Sequence, residues 1–402
     1  MEHVRSQFPA LERIYKGYPV AYFDAPGGTQ VPRVVAEAMN DYLFHHNANT
    51  HWAYPTSIES DAIIAAAREA VGNFLNCSPD EVVFGANMTT LTFHLARTLG
   101  RTWSEGDEVI VTDLDHHANV APWRALSIDR GVVVRSARMI RETAQIDWEH
   151  LRELVSPRTK LIAIGGASNA TGTVNDLALA AAVAREAGAL LFVDAVHLAP
   201  HELIDVQRIG CDFLACSSYK FYGPHAGILF ARRALLESLP FPKLIPAPDT
   251  APERAETGTQ CHEAIAGIGA TIEFIASIGG DGGTRRERLG RAYQSLHDEG
   301  ERFAQMLWDG LSPLARLYGP PPTMRRTPTI AFSIDGLDDE NVVRALAERG
   351  LFLSHGDFYA ITAVRELDAP FCSVVRAGCA CYTTEEEVER LVDAVAVLSR
   401  SG

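Results

Sequence analysis

The chain has 402 residues, of which 47% are hydrophobic and 22% charged, a length that exceeds a single core and calls for two domains of an ordinary globular protein. A formal net charge of −15 argues against nucleic acid or an anionic membrane as the main partner, although a local cluster of donors can still hold an anion. No run approaches the ~18 apolar residues that span a bilayer, and the opening MEHVRSQFPALERIY lacks the basic-then-apolar pattern of a signal peptide. Seven scattered cysteines suit the cytoplasm. Cys379 and Cys381, one residue apart, have no second pair to complete a zinc site, so no metal is expected.

Along the chain, short apolar runs alternate with Ala- and Leu-rich stretches. Strands are expected at 81–84 (EVVF), 108–112 (EVIVT), 131–134 (GVVV), 161–164 (LIAI), 190–193 (LLFV), 213–216 (FLAC) and 227–230 (GILF), with helices at 58–75, 90–99, 148–154 and 177–187. Continuous apolar strands separated by helices predict an α/β fold with a mostly parallel seven-stranded sheet covered on both faces. No helix separates 213–216 from 227–230, which predicts one local hairpin or antiparallel strand. The texture changes near 260–285: long helical stretches at 263–278 and 285–310 precede strand 329–334, helix 341–347, strands 351–354 and 373–377, and a final helix 384–398 capped by Thr383 or Thr384. The expected division is a large domain of residues 20–265 and a smaller α+β domain made of 1–19 and 266–402.

Five segments carry chemistry. In CSSYKFYGPHAGILF, Lys220 follows a buried strand and precedes a Gly-Pro turn, where ligands of open α/β sheets bind; a buried lysine near cations suits Schiff-base formation, and a snorkelling surface lysine is the plain alternative. In LLFVDAVHLAPH, Asp194 ends a strand and can cap a helix, bind a metal or pair with the pyridinium nitrogen of pyridoxal 5′-phosphate (PLP). Three residues on, His197 could meet the cofactor's phenolate or Schiff base. In VTDLDHHANVAPW, His116 and His117 follow a strand end, one of them placed to stack on a ring or simply to cap a turn. In VVFGANMTTLTFHLA, a helix opens at Met88-Thr89-Thr90, whose free N–H groups and hydroxyls make a phosphate site or an ordinary cap. In GGASNATGT, Asn169 follows strand LIAI, as a ligand of the 3′-oxygen or as part of a turn.

Taken in this order, the segments resemble the class V aminotransferases, and especially the cysteine desulfurases and desulfurase-like proteins, from YFDAPGG at Tyr22 to the end of the chain. The resemblance implies the aspartate-aminotransferase-like PLP fold type I, and a reaction of an amino acid through an external aldimine and a quinonoid. It implies that Lys220 holds the cofactor and moves protons, Asp194 pairs with the ring nitrogen, His116 stacks on the ring, His197 stands where desulfurases usually carry Gln, and Asn169 lies near the 3′-oxygen. Thr89, Thr90 and Ser217 are the implied phosphate ligands, and Tyr219 stands where desulfurases often carry His. GTQCHEAIAG resembles the stretch that reaches a neighbouring subunit's site, implying a homodimer with Thr259 and His262 as cross-subunit contacts, and Arg376 matches the arginine that grips the substrate α-carboxylate. The His- and Asn-rich loop HHNANTHW, with Asn49 and His51, is a candidate substrate-recognition segment or a polar surface loop.

One departure bears on the reaction. LSHGDFYA places Tyr359 at the position of the family's persulfide-forming cysteine. A phenol cannot accept the sulfur that a thiolate attacks, so desulfurase chemistry is disfavoured. A C–S lyase eliminating a thiol from a cysteine conjugate needs no such nucleophile, and Tyr359 would then act as an acid or shape the pocket. An aminotransferase, an epimerase or a decarboxylating or oxidatively deaminating enzyme are the alternatives, and a non-catalytic protein that kept the fold is the third class.

Overall fold

The computed structural model describes residues 2–400. Seven strands form the main sheet: β1 Val82–Gly85, β2 Glu108–Thr112, β3 Val133–Ala137, β4 Thr159–Gly165, β5 Leu190–Asp194, β6 Phe213–Ser217 and β7 Gly227–Ala231. Their order is β1-β7-β6-β5-β4-β2-β3. All neighbours pair parallel except β7, which is antiparallel to both β6 and β1. The short link between the runs at 213–216 and 227–230 is therefore the site of the one reversed strand. β2, β4, β5, β6 and β7 are buried throughout or nearly so, as strands covered on both faces must be.

The helices that frame the two sheets include α1 Arg33–Asp41, α2 Pro55–Leu75, α3 Met88–Gly100, α4 Ala121–Arg130, α5 Trp148–Glu153, α6 Leu177–Ala187, α7 His262–Ile278, α8 Arg285–Leu311, α9 Asp339–Ala347 and α10 Glu385–Ser399. A second sheet of four strands, β8 Arg316–Tyr318, β9 Thr329–Ser333, β10 Ser354–Gly356 and β11 Val374–Gly378, runs in the order β8-β9-β11-β10, antiparallel throughout. It packs with α8, α9 and α10 around its own core of Phe303, Leu307, Phe332, Val375 and Leu391. α7 packs on α1 and α2, so the division expected at residue 265 cuts a helix whose packing lies with the large layer.

Two expected strands differ from what forms. The run at 131–134 begins with Gly131, but Gly131 is the left-handed cap (φ 68°) that ends α4, a position that favours glycine; the strand starts at Val133. The run 351–354 splits between two sheets. Leu351–Phe352 pairs in parallel with Ala21–Tyr22 at the chain's start, while Ser354 already belongs to β10 and pairs with Arg376. Among the described residues no helix is long and apolar enough to cross a membrane.

α10 is capped by Thr384, whose hydroxyl accepts from the Glu387 N–H while the Glu387 carboxylate accepts from the Thr384 N–H. Glu387 is also held by Arg5. Thr384→Ala is expected to lower unfolding stability by about 1 kcal/mol, read as a shift in urea midpoint with unchanged slope. No shift would mean that the ion pair alone anchors the helix end.

Candidate active site

Parallel strands deliver their following loops to one edge of the sheet. Here the ends of β4, β5 and β6 open onto a cavity of about 600 Å³. Asp194, the last residue of β5, lines it and is 7% exposed. Its Oδ1 accepts from the Val196 N–H at 2.9 Å, and no ion pair reaches it among the described residues. Burial raises its carboxyl to about 6, against the pull of that N–H and of Lys220. Lys220 sits in a 3₁₀ turn directly after β6. Its Nζ donates to the carbonyls of Pro26 (2.6 Å) and Gly27 (2.8 Å). Burial, then the Arg376 charge, lower its ammonium to about 8. A second buried carboxyl, Asp115, accepts from Thr112 N and Oγ1 and from Gly165 N, and burial pushes it up to about 7.

The N-terminus of α3 faces the same cavity. Asn87 caps the helix through the Thr90 N–H. β7 can come close to that cap because it begins with glycine: a Cβ on Gly227 would lie 2.5 Å from the Asn87 carbonyl carbon. Ser217 Oγ accepts from the Met88 N–H at 2.9 Å, which leaves its own proton for an anion. The Thr90 hydroxyl points instead at Asn87 Oδ1 (3.1 Å), so its proton serves the cap. Thr89 lines the cavity beside it. Tyr219 stacks on His225, with ring centroids 4.8 Å apart and planes 11° apart, and Lys220 Nζ lies 4.8 Å from the Tyr219 ring centroid.

His116 Nδ1 accepts from the Ala118 N–H at 3.0 Å. Burial, then Lys220, lower its imidazole to about 4, so it is a neutral ring with Nδ1 as acceptor. His197 Nε2 hydrogen-bonds Thr327 Oγ1 and Thr329 Oγ1 at 3.1 and 3.2 Å, and burial holds it well below its ordinary value. Asn169 donates from Nδ2 to Phe358 O, while its buried Oδ1 has no partner. An amide oxygen cannot donate to a phenolate; turning the amide would present Nδ2 to it and leave Phe358 O without its donor. Arg376, on β11, is 3% exposed. Its Nη1 donates to Asn169 O and its Nη2 to Asp24 Oδ1 and Ser354 Oγ, all within 3.1 Å, and Nε has no partner.

Comparisons with known proteins show the family of the chain. The family model described as Aminotransferase class-V matches residues 21–391. The chain is 32% identical to a cysteine desulfurase of Serratia proteamaculans, covering 98% of this chain and 96% of that one. It is 30% identical to a probable cysteine desulfurase of a Synechocystis strain, covering 96% and 92%. The chain belongs to the class V aminotransferase family. Among solved structures, the cysteine desulfurase CsdA of Escherichia coli superposes with a TM-score of 0.85 at 28% identity over 100% of this chain and 98% of that one. An apo cysteine desulfurase from Thermococcus onnurineus shares the fold with a TM-score of 0.91 at 24% identity, over 100% and 98% of the two chains.

As a class V aminotransferase family member the protein is a PLP-dependent enzyme, and its residues fit the cofactor. The cavity is of cofactor size. It holds a buried carboxylate without an ion pair, Asp194, suited to a ring nitrogen, a helix N-terminus for a phosphate, a neutral imidazole and a lysine of lowered basicity. Among the described residues no group of three or more His, Cys, Asp or Glu is placed to hold a metal ion.

Four expected residues lie elsewhere in this subunit. Thr259 lines a smaller adjoining cavity of about 340 Å³, which shares Thr90 and His225 with the main one. His262, expected as a cross-subunit contact, is buried at the start of α7 with Nδ1 bonded to Tyr42 Oη at 3.0 Å. Asn49 and His51 do not reach the cavity: the Asn49 Oδ1 accepts from the next residue's N–H, and exposed His51 pairs with Asp61. Tyr359 stands at the mouth, 75% exposed, its ring centroid 5.6 Å from that of His116. Asp24, Ser354, Asp115 and His225 belong to the site and were not named from the sequence. All four lie in quoted segments: Asp24 in YFDAPGG, Ser354 in LSHGDFYA, Asp115 directly before the HH pair of VTDLDHHANVAPW and His225 in CSSYKFYGPHAGILF.

The Asp194 carboxyl titrates near 6 in the folded chain against an ordinary 3.8. In the cofactor-free protein its charge therefore costs stability above pH 6, and nothing below pH 4, where folded and unfolded states are both protonated. Asp194→Asn is expected to stabilise the cofactor-free protein by roughly 3 kcal/mol at pH 7 and by little at pH 4, while weakening PLP retention. Urea melts at both pH values check this; a difference that does not change with pH contradicts a buried, uncompensated charge.

Proposed function

We propose that the enzyme is a C–S lyase that eliminates a thiol from a cysteine conjugate. The observation that carries this reading is the side chain at the mouth of the cavity, a phenol at Tyr359, in a chain otherwise similar to desulfurases. None of the seven cysteines lines either the main cavity or the adjoining vestibule beside Tyr359 and Arg376. Cys372, exposed, lies 13 residues (372 − 359) past Tyr359. Cys261 lines the smaller cavity, which includes neither Lys220 nor Arg376, and its thiol is raised by burial and by Glu263. A persulfide route needs a thiolate at the substrate's sulfur; elimination needs only a base at Cα and a good leaving group.

When bound, PLP supplies an electron sink for negative charge at Cα of an attached amino acid. In this reading Asp194 holds the ring nitrogen protonated, neutral His116 stacks on the ring, and Ser217 with the α3 N-terminus holds the phosphate. Thr89, Thr90, Tyr219, His197 and Asn169 are assigned as further cofactor contacts. Arg376 orients the α-carboxylate and is itself held by Asp24 and Ser354. Lys220 Nζ would take the Cα proton, and the electron pair of that C–H bond would form the Cα–Cβ double bond as the Cβ–S pair leaves with the thiolate. The overall balance is cysteine conjugate plus water to thiol, pyruvate and ammonia. A thiolate leaves without a protonated partner, so Tyr359 need not supply an acid.

A homodimer in the cytoplasm completes the reading. Exposed Phe44, Trp52, Tyr54 and Ile58 flank the segment of Asn49 and His51, an apolar face that a second copy would cover. Asn49, His51 and Thr259 are assigned to the partner's pocket. All seven cysteines are unpaired, which suits a reducing compartment.

Purified protein is expected to show the visible absorption of lysine-bound PLP, absent from Lys220→Ala. With S-alkyl cysteines it is expected to release thiol and pyruvate in equal amounts, with loss of at least about 10³-fold in the variant. Conversion of the cofactor to its pyridoxamine form without pyruvate overturns the lyase and makes transamination the reaction.

A further inference from the structure

A vestibule of about 510 Å³ continues from the cofactor cavity, sharing Lys220, His116, Asn169 and Tyr219 with it. Arg376 lines it together with Phe93 from α3, Ala121 from the start of α4, and Phe358 and Tyr359. The Phe358–Tyr359 wall is held in place. Both residues are left-handed (φ 53° and 59°), which is unfavourable for side chains of this size. They stay there because the Asn169 amide donates to Phe358 O, the His117 N–H to Tyr359 O, and Asp357 Oδ1 accepts from the Tyr359 N–H. The Arg376 guanidinium lies 3.8 Å from the Phe358 ring centroid. Among the described residues that line the vestibule, Lys220 and Arg376 are the only lysine and arginine and there is no carboxylate; beside Phe93, Ala121 and Phe358 the polar groups are His117 and the Tyr359 hydroxyl.

We propose that this vestibule takes the substrate's side chain, and that the side chain is aromatic or bulky and apolar. With the α-carboxylate on Arg376 and Cα beside Lys220, the remaining space lies between Phe93, Ala121 and Phe358–Tyr359. Beyond Lys220 and Arg376 this subunit offers a charged side chain no ion-pair partner there, so a charge gains less from the vestibule than an apolar group does. A methyl group would leave the rings uncovered, whereas a ring or branched chain packs edge or face against them. Combined with the lyase reading, on which this step rests, the substrate class is an S-aryl, S-benzyl or similarly bulky conjugate of cysteine.

The test uses holoenzyme and ligands that lack a β-leaving group, so that it does not depend on elimination. Dissociation constants for L-phenylalanine, L-homophenylalanine, L-alanine and L-aspartate are read from the change in cofactor absorption. The aromatic amino acids are expected to bind at least about tenfold tighter than alanine, from ~0.8 kcal/mol for each buried CH₂ equivalent, with aspartate weakest. Phe93→Ala is expected to narrow that preference several-fold, and Ala121→Phe, which fills the space, to abolish it. Equal binding of alanine and phenylalanine overturns the proposal, as does a preference that survives both substitutions. If the aromatic preference holds but S-benzyl-cysteine yields no pyruvate, the subsite stands and the lyase reading falls. If S-methyl- and S-benzyl-cysteine are cleaved equally well and alanine binds as tightly as phenylalanine, the lyase stands and the subsite falls.

Discussion

A carboxylate buried without a cation destabilises a fold, and Asp194 occupies that position at the carboxyl end of the middle strand of the sheet. Its surroundings follow from the parallel direction of β4, β5 and β6. Each strand releases its loop at the same edge, so Gly165, Asp194 and Ser217 end side by side. β7 starts from that edge in the opposite direction, with Gly227 paired to both Ser217 and Gly85. That reversal brings the α3 cap against the cavity. The charge is only partly offset by Lys220, whose own basicity is lowered by the same burial. Each of the two groups limits the other's shift, and a cationic ring nitrogen beside Asp194 would relieve the carboxylate more fully than the lysine can.

Arg376 connects the two sheets chemically. It projects from β11, yet its partners are Asn169 of the large layer, Asp24 near the start of the chain and Ser354 of β10. Its charge also lowers Lys220 and His116. The chain carries −15 overall, while this corner presents a lysine, an arginine and a helix N-terminus. Close, poorly hydrated charges outweigh distant screened ones, so an acidic protein can still hold an anionic cofactor and the carboxylate of its substrate.

The elements legible in the sequence were those with local causes. Unbroken apolar runs identified the buried strands, and Asp, Ser, Asn and Thr at their ends marked the cavity edge. Features set by distant partners were not legible. Gly131 reads equally as the start of GVVV or as a helix cap, and only the helix before it decides. Nothing local separates Leu351 from Ser354; the split arises because Ala21–Tyr22 takes the first half and β11 the second. Asp24 is 352 residues from the arginine it holds. His262 carries no local sign that Tyr42 covers it. Asn49 and His51 looked like ligands from composition, but one chain turns them to the surface, where Asp61 and the backbone satisfy them.

The loop at Tyr359 is held in an unfavourable backbone conformation by its neighbours. Two successive left-handed aromatic residues cost roughly 1–2 kcal/mol each, and such strain persists only where contacts over-determine it. Three hydrogen bonds and the guanidinium over Phe358 do so here. Two of those bonds come from Asn169 and His117, so the loop is latched to the walls of the cavity it borders. A nucleophile that must reach a substrate's sulfur and then pass it on needs a side chain that travels. A residue that defines the end of a pocket needs one that stays. Because the latch uses backbone groups of Phe358 and Tyr359, it holds whatever side chain stands at 359, and the Phe358 ring against the Arg376 guanidinium gives that held backbone an aromatic face.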